Sequence, residues 1–320
     1  MIKIGILNAD NPGSGELLRL LINHPEADIV TLYAPMMTGR SVGSVHHGFI
    51  GENLVNFTDK INPEELDILF ISEQNEISEY VYNNLDKWPE LKIIDFSGNN
   101  KEAFKNATTE IGLSETNRKS IVRNMNVAHI PTPELIPILI TLFPLATYML
   151  INSDITISLS IPSRILKEGN VSMNNSEILT EAIKSCQPSF ASSVSLSFEE
   201  NKEETRVITM HAIIDCALTI EEIERIYEQI YDDHNFTFVV HSPITSKEVE
   251  GTQKCVISLN KPSSAKLELT TICDGRMRGG AGDAVHILNL FKGLHEKTGL
   301  TLKSSSFDSK TSSQSSSWFA

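Results

Sequence analysis

HIPTPELIPILITLFPLATYMLI, residues 129–151, is the stretch that decides the fold. It carries no charge over the seventeen residues from Leu135 to Ile151, and prolines interrupt it at Pro137 and Pro144. A helix that crosses a membrane needs about 20 apolar residues, and internal prolines weaken such a helix. The alternative is a buried helix at the junction of two domains, and we favour it over the membrane span.

Upstream of this stretch, short apolar runs alternate with amphipathic ones. Residues 2–7 are apolar and β-branched, as buried parallel strands are, and an amphipathic helix is predicted over 16–23. A second strand is predicted over 29–34, followed by strands over 68–72 and 92–96. This alternation of strands and helices predicts an α/β domain of the nucleotide-binding kind.

The turn between the first strand and the first helix is where such a fold holds a pyrophosphate. Glycines there let backbone amides approach the phosphates, yet only Gly13 and Gly15 are present, and Asn8 and Asn11 stand earlier in the turn. Asn tolerates a positive φ, so the turn can keep its shape, whereas Asp10 adds a negative charge. Two interpretations remain open, a weakened pyrophosphate site and a turn that only supports the fold.

The loop after the second strand bears on the choice of dinucleotide. No acidic residue stands at that strand end to bind a ribose 2′-hydroxyl, and Thr38, Arg40 and Ser41 follow it. Hydroxyl and guanidinium groups suit a 2′-phosphate, which favours NADP over NAD. The alternative is a solvated arginine in a surface loop.

Composition and charge exclude several classes of function. The chain of 320 residues has 41 acidic and 27 basic residues, a net charge of −14. Nucleic-acid binders generally need a basic surface, so we expect no nucleic-acid partner, and an acidic chain is disfavoured on anionic membranes. The four cysteines lack metal-ligand spacing, which predicts no metal site. The chain begins directly with a strand, without a signal peptide, so we expect a cytoplasmic location.

The second half of the chain predicts an α+β domain with a mixed sheet. Strands are predicted over the apolar or alternating runs 155–161, 194–198, 206–214, 236–241, 255–260 and 266–273. An amphipathic helix ends at Tyr231, and Thr219 with Glu222 forms a capping box at its start. A mixed sheet with helices on one face commonly buries its other face against a second copy, so we expect a homo-oligomer.

Short segments spread along almost the whole chain carry a family resemblance. They are Gly13 to Leu21, His24-Pro25, Thr38-Gly39-Arg40, Val45-His46, Asp95-Phe96-Ser97, Gly112 to Arg118 and Asp274 to Leu300. Together they resemble the N-acetyl-γ-glutamyl-phosphate reductase family, part of the aspartate-semialdehyde dehydrogenase-like group. The resemblance implies a glyceraldehyde-3-phosphate dehydrogenase-like fold. It assigns 1–127 and 281–307 to a Rossmann-type NAD(P)-binding domain and 128–280 to an α+β catalytic and dimerisation domain, and it leaves 308–320 as a flexible serine-rich tail.

The resemblance also implies a reaction and a cofactor. The family reduces an acyl phosphate to an aldehyde with NADPH in arginine biosynthesis, through a cysteine that forms a thioester and a histidine that manages protons. The residues expected to form the cofactor cleft are Asn8, Asn11, Gly13, Gly15, Thr38, Arg40, Ser72, Gly279, Gly282 and Asn289. NADP is therefore the expected cofactor, with a weakened fingerprint.

The positions that carry the family's chemistry are altered in this chain. Pro133 stands at the nucleophile position and Cys186 at a histidine position, so no catalytic residue is retained. Proline suits the first turn of a helix, and Pro133 is predicted to keep the helix start without a thiol. Thr132 with His129 is the remaining candidate nucleophile and base, and a structural role for Cys186 is the simpler interpretation. Arg206 follows an acidic run and is predicted to be solvated.

Two functions are compatible with these losses. The first is a catalytically inactive homologue that acts as a binding or partner protein. It would form a homo-oligomer (a dimer or tetramer) or a mixed oligomer with an active paralogue. The alternative is an NADP-dependent oxidoreductase that acts on another substrate without a cysteine thioester.

Overall fold

The structure is a computed structural model that describes residues 1–98, 111–167, 171 and 176–304. The predicted tail, 308–320, lies outside these residues. The strands in chain order are β1 (Ile2–Leu7), β2 (Ala27–Tyr33), β3 (Phe57–Thr58), β4 (Ile68–Ile71), β5 (Lys92–Asp95), β6 (Val127–His129), β7 (Ile155–Pro162), β8 (Val194–Asn201), β9 (Val207–Asp215), β10 (Thr237–Val240), β11 (Cys255–Ser263) and β12 (Lys266–Asp274). The α-helices are α1 (Pro12–Leu21), α2 (Glu76–Asn83), α3 (Ser114–Arg123), α4 (Leu135–Thr147), α5 (Ser163–Lys167), α6 (Ser176–Cys186), α7 (Ile220–Tyr231) and α8 (Ala281–Phe291).

The first sheet is parallel, with the strand order β3-β2-β1-β4-β5-β6. In this doubly wound arrangement the order reverses between β1 and β4, and ligands bind outside the carboxyl ends of the strands at that point. Helices α1 and α8 pack on one face of the sheet, and α2 packs on the other. The strands are short apolar runs because both faces are buried, and the predicted α/β domain is confirmed.

The second sheet is mixed, with the strand order β10-β11-β12-β9-β7-β8. Its four central strands, β11, β12, β9 and β7, are antiparallel to one another. The edge strand β10 pairs in parallel with β11, and the edge strand β8 pairs in parallel with β7. Helices α4, α6 and α7 pack on one face, and the capping box predicted for α7 at Thr219 and Glu222 is present. The other face is open, since Ile213 in the inner strand β9 is 52% exposed. The predicted mixed-sheet domain is confirmed.

Helix α4 occupies the junction, as the apolar run predicted, but it starts later than expected. The predicted position of Pro133 in the first helical turn is wrong, because the helix begins at Leu135 with Glu134 as its N-cap residue. Thr132 O accepts from Leu135 N at 2.9 Å, so a separate turn closes before the helix. Among the residues described, no helix combines the length and apolarity that a membrane crossing requires.

Pro144 lies inside α4, and the surrounding side chains compensate for it. Proline has no N–H, so the carbonyl of Ile140, four residues earlier, loses its usual helical donor. The Tyr231 hydroxyl on α7 donates to this carbonyl, and the Tyr227 hydroxyl donates to the next one, Thr141 O, at 2.6 Å. Helix α7 therefore supplies the hydrogen bonding that a proline in a buried helix requires.

Candidate active site

The turn between β1 and α1 meets the end of β4 where the strand order reverses. Asn8 follows β1 with a φ of 53°, so the turn keeps its shape without glycine at this position. The Ser72 hydroxyl, just after β4, donates to the Leu7 carbonyl at 2.8 Å, and Asn11 Nδ2 donates to Ser72 Oγ at 2.9 Å. The Ser14 hydroxyl lies 2.9 Å from Ser72 Oγ and also bonds the Asn8 carbonyl. The structure thus brings Asn8, Asn11 and Ser72 together.

Asn11 uses one of the amides that an anion would need. It is the N-cap residue of α1, and its Oδ1 accepts from Ser14 N at 2.8 Å. The first amides of a helix have no intrahelical partner, and in dinucleotide-binding folds they bind phosphate. A phosphate at this turn must therefore displace the Asn11 side chain from Ser14.

The two glycines of the turn, Gly13 and Gly15, have different surroundings. A Cβ at Gly15 would lie 2.8 Å from His46 Nδ1, whereas a Cβ at Gly13 would meet Asn11 Oδ1 at 3.4 Å. His46 Nε2 donates to the Ala9 carbonyl at 2.8 Å. The position of Gly15 leaves little room for a side chain, because the His46 imidazole packs against the turn there.

The loop after β2 lies beside the turn, because Ala9 N donates to Tyr33 O at the end of that strand at 3.0 Å. The Thr38 hydroxyl donates to a backbone carbonyl in its own loop. The Arg40 guanidinium is exposed and donates to the Ser44 carbonyl at 3.3 Å. The Arg40 guanidinium thus lies in the loop that follows β2, the strand whose end holds the adenosine ribose in dinucleotide-binding folds.

The entrance to α4, residues 130–134, packs on the loop that precedes α8. A Cβ at Gly279, whose φ is 70°, would lie 2.5 Å from the Pro133 Cα, so only glycine fits there. Thr132 is buried, and its hydroxyl donates to Glu134 Oε1 at 2.7 Å. The entrance therefore holds Pro133, a side chain without a reactive atom, and the neighbouring Thr132 hydroxyl is already engaged.

Gly282 and Asn289 lie on α8, in contacts that build the fold. A Cβ at Gly282 would come within 1.9 Å of Gln253 Oε1, so the close approach of that side chain requires glycine. Asn289 is fully buried, its Oδ1 accepts from His24 Nε2 at 2.9 Å, and its Nδ2 donates to backbone carbonyls beyond α8. His24 follows the carboxyl end of α1, so Asn289 is engaged at the opposite end of that helix from the turn.

The structure does not bring Cys186 to Pro133. Cys186 ends α6 and lines a mostly apolar cavity of about 230 Å³ together with Ala146, near the carboxyl end of α4. The next residue, Gln187, exchanges two hydrogen bonds with the backbone of Ile151 beyond that helix end. Pro133 precedes the other end, and a helix of this length spans roughly 20 Å.

Arg206 is not solvated, and that prediction is wrong. Its side chain is 19% exposed, and it pairs with Asp274 at 2.8 Å and with Glu16 on α1 at 3.4 Å. The acidic run before it stays at the surface, but Asp274 lies 68 residues further along the chain, and that contact turns Arg206 inward. Burial would raise the pKa of Glu16, but the hydrogen bond from Arg19 and the charge of Arg206 lower it below its ordinary value. The Arg206 guanidinium therefore links Glu16 on α1 to Asp274 on the second sheet.

Arg278, in the loop before α8, is fully buried between two carboxylates. It lies 2.8 Å from Glu115 on α3 and 3.3 Å from Asp283 on α8. Burial would raise the pKa of Glu115, but the charges of Arg278, His286 and His234 and the hydrogen bond from Arg278 together hold that pKa well below its usual range. Asp283 also accepts from Gly279 N at 2.7 Å, so this network fixes the loop that packs on Pro133.

The predicted pairing of Thr132 with His129 does not describe the contacts of either side chain. His129 ends β6, and its Nδ1 lies 3.4 Å from Asp95 Oδ2 at the end of β5, while the Thr132 hydroxyl bonds Glu134. Sequence reasoning missed the Asp95–His129 pair, although both residues end predicted or observed strands. The missing signal was the pairing of those two strands, in which Asp95 and His129 are direct partners.

The groups around the turn suit a dinucleotide. A helix amide at Ser14, the exposed Arg40 guanidinium and the positive φ of Asn8 are the features that a pyrophosphate and a ribose phosphate require. The Asn11 side chain occupies the Ser14 amide. Within residues 1–98, 111–167, 171 and 176–304, no group of three or more His, Cys, Asp or Glu could hold a metal ion.

Comparisons with known proteins show which family the chain is similar to. The profile of the semialdehyde dehydrogenase NAD-binding domain matches residues 3–124. A protein of Parabacteroides distasonis named N-acetyl-gamma-glutamyl-phosphate reductase is 32% identical over 327 residues, covering 96% of this chain and 100% of that protein. A protein of the same name from Phocaeicola vulgatus is 31% identical, with the same coverage.

Solved structures show the same fold at low sequence identity. Aspartate semialdehyde dehydrogenase II of Vibrio cholerae, complexed with ASA, superposes with a TM-score of 0.67 at 13% identity, covering 91% of this chain and 98% of that one. Aspartate semialdehyde dehydrogenase of Candida albicans with NADP gives the same TM-score and coverage at 12% identity. On its full-length similarity to the named reductases, this chain belongs to the N-acetyl-γ-glutamyl-phosphate reductase family.

Proposed function

We propose that this chain binds NADP(H) but does not reduce an acyl phosphate through a thioester, and that it acts as a binding or partner protein. Pro133 carries the proposal, because the sequence resemblance places it at the position of the family's nucleophile. A thioester needs a thiolate, which forms where a helix amino end or a nearby cation lowers the thiol pKa. Proline offers neither a sulfur atom nor an N–H for an oxyanion.

The neighbours of Pro133 do not offer a replacement among the described residues. Thr132 is the adjacent hydroxyl, but it is buried and donates to Glu134 at 2.7 Å. Cys186 lies near the far end of α4. The two arginines near the cleft, Arg206 and Arg278, are each paired with two carboxylates, which leaves them poorly suited to an acyl phosphate.

NADP is proposed over NAD because of the loop after β2. Arg40 and Thr38 supply a cation and a hydroxyl at the strand end, where an NAD-specific fold has an acidic residue. The similar Candida albicans structure was solved with NADP. The expected affinity is weakened, because a phosphate must compete with Asn11 for Ser14 N.

The proposal includes an oligomer, either a homo-oligomer or a mixed oligomer with an active relative. The open face of the second sheet supports it, since Ile213 in an inner strand is 52% exposed there. Burial of such a face against a second chain removes apolar area from water. Multi-angle light scattering tests this part, and a single monomeric species at micromolar concentration would contradict it.

A fluorescence titration with NADPH tests cofactor binding, the first half of the proposal. We expect saturable binding to the full chain, weaker for NADH than for NADPH. Arg40→Met is expected to remove the preference for NADPH, while Arg225→Met, an exposed arginine on α7, leaves it unchanged. No saturation at millimolar NADPH would end the proposal of a cofactor-binding protein.

A further inference from the structure

An apolar groove lies where the second sheet meets residues 297–303, beyond α8. It is lined by Phe236 and Phe238, beside the start of β10, and by Leu300 and Leu302. Phe236 and Leu300 are buried, whereas Phe238 is 43% exposed, so the groove opens to solvent beside Phe238. Its volume is about 130 Å³, close to the roughly 150 Å³ of a cavity that holds benzene. The groove therefore has room for one ring-sized apolar group.

The same groove is lined by three lysines, Lys254, Lys297 and Lys303. Among the described residues that line it, none is an aspartate or a glutamate. Lys297 and Lys303 are exposed and Lys254 is half-buried. Within the described part of the chain, no carboxylate pairs with any of these three ammonium groups. The whole chain has a net charge of −14, so this excess of positive charge is local to the groove.

The surface beside Arg206 shows what distinguishes the groove. A second hollow, which contains Arg206 and Lys202, is also lined by Glu203, Glu204 and Glu250. A carboxylate that enters this hollow meets charges of both signs, which attract and repel it together. In the groove, the ammonium groups act on a carboxylate without an opposing charge in the lining. Charge complementarity therefore favours an anion in the groove.

The groove is separate from the turn that is proposed to bind the dinucleotide. The segment that lines it packs against the carboxyl end of α1, because a Cβ at Gly299 would lie 2.6 Å from His24 Cδ2. Asn11 caps the amino end of the same helix, whose ten residues span about 15 Å. A ligand in the groove and a dinucleotide at the turn can therefore be bound at the same time.

We propose that this groove binds a small carboxylate that carries one aromatic ring, such as an arylalkanoate. The ring packs against Phe236 and Phe238, since aromatic rings pair in offset or edge-to-face arrangements. The carboxylate lies at the rim, near Lys254, Lys297 and Lys303. An ammonium group acts as a point charge on a flexible stem, so these lysines can share one carboxylate without a fixed geometry. The inference goes beyond the proposed NADPH binding, because it gives the binding protein a second ligand at a different site.

Titration of the full chain with 3-phenylpropanoate, followed by ligand-observed NMR, is the first test. We expect saturable binding with a Kd on the order of 1 mM. Binding of 3-phenyl-1-propanol, which has the same ring without the charge, should be about tenfold weaker, because it lacks attraction to the three lysines. No saturation by 3-phenylpropanoate up to about 10 mM, or equal affinity for the alcohol, would overturn the inference.

Variants locate the bound carboxylate. Lys254→Gln combined with Lys303→Gln is expected to weaken binding of 3-phenylpropanoate about fivefold and to leave binding of the alcohol unchanged. Phe238→Ala should weaken the binding of both ligands, because both place the ring against this side chain. Lys184→Gln, at an exposed lysine on α6, is the matched control and should bind as the wild-type chain does. Wild-type affinity for 3-phenylpropanoate in the double lysine variant would refute the proposed site.

An NADPH titration with and without 3-phenylpropanoate keeps the two proposals apart. We expect the same NADPH affinity in both, since the groove and the turn lie at opposite ends of α1. Competition between the two ligands would place the carboxylate at the cofactor turn and refute the groove. A failure of NADPH to bind at all would be the failure of the proposed function, and the titrations with 3-phenylpropanoate alone would still decide this inference.

Discussion

Two prolines at helix α4 have different surroundings: Pro144 lies inside the helix, and Pro133 lies in the turn before its first residue. In the interior, Pro144 removes an N–H, and Tyr231 on α7 donates to the carbonyl that lost it. At the entrance, Pro133 offers no reactive atom, and the adjacent Thr132 hydroxyl is directed to Glu134. The donor that Pro144 lacks is replaced by a specific contact, whereas Pro133 is accommodated sterically by Gly279. The packing around α4 therefore accommodates both prolines, and at its entrance the Thr132 hydroxyl is already hydrogen-bonded.

Removing Arg278 should have the largest effect, because the entrance then loses its buried support. Arg278→Met leaves Glu115 and Asp283 buried without their cation. Breaking a buried pair in this way costs about 3–5 kcal/mol, which urea denaturation measures as a fall in the free energy of unfolding. Arg225→Met, on the exposed face of α7, should change it by less than about 0.5 kcal/mol. A similarly small loss for Arg278→Met would mean that the entrance is not held as described.

Gly279→Ala tests the packing of the loop on Pro133. Gly279 and Gly39 have φ values of 70° and 81°, but a Cβ meets the Pro133 backbone at Gly279 and nothing within 4 Å at Gly39. We expect Gly39→Ala to cost about 1–2 kcal/mol from the backbone conformation alone, and Gly279→Ala to cost about 2–4 kcal/mol because the clash adds to it. Equal losses in thermal unfolding would remove the proposed contact with Pro133.

Tyr231→Phe tests compensation in the interior of α4. The Ile140 carbonyl, already without a helical donor because of Pro144, would be buried and unpaired. Such a group costs about 1–3 kcal/mol, seen as a lower midpoint of denaturation. Tyr80→Phe, at a residue 53% exposed, should be close to neutral. If both variants have wild-type stability, the hydroxyl does not replace the missing N–H.

Asn11→Gly should have the smallest effect on stability, and it should increase the affinity for NADPH. Glycine is a fair N-cap, so the loss of stability is expected to be a few tenths of a kcal/mol. Ser14 N then becomes available to a phosphate, and one such hydrogen bond corresponds to about tenfold in NADPH affinity. Asn62→Gly, the N-cap of a short helical turn away from the cleft, is the control. Unchanged or weaker NADPH binding in Asn11→Gly would show that the Asn11 side chain does not compete with the ligand.

The sequence predicted the elements well where one local pattern decides them. The buried apolar runs located β1, β4 and β5 to within a residue or two, and Thr219 with Glu222 located the start of α7. Pro133 was placed wrongly because its preference for a first helical turn competes with a separate turn closed between Thr132 and Leu135.

The site was less predictable because its contacts join distant parts of the chain. Arg206 follows acidic surface residues, and its burial depends on Asp274, which no local pattern indicates. The Asp95–His129 pair depends on which strands are neighbours. Asn11 was predicted to lie in the cofactor turn, but its capping of Ser14 requires the helix to begin at Pro12, earlier than the amphipathic pattern suggested.

The most direct test of the account is NADPH consumption with N-acetyl-γ-glutamyl phosphate, with the Parabacteroides distasonis relative as the positive control. The account predicts that NADPH binds to this chain, that the relative consumes it, and that this chain leaves the acyl phosphate unreduced at every NADPH concentration tested. Sustained NADPH consumption by the wild-type chain, dependent on the acyl phosphate, would contradict the proposal that this chain, with Pro133 at the entrance to α4, forms no thioester.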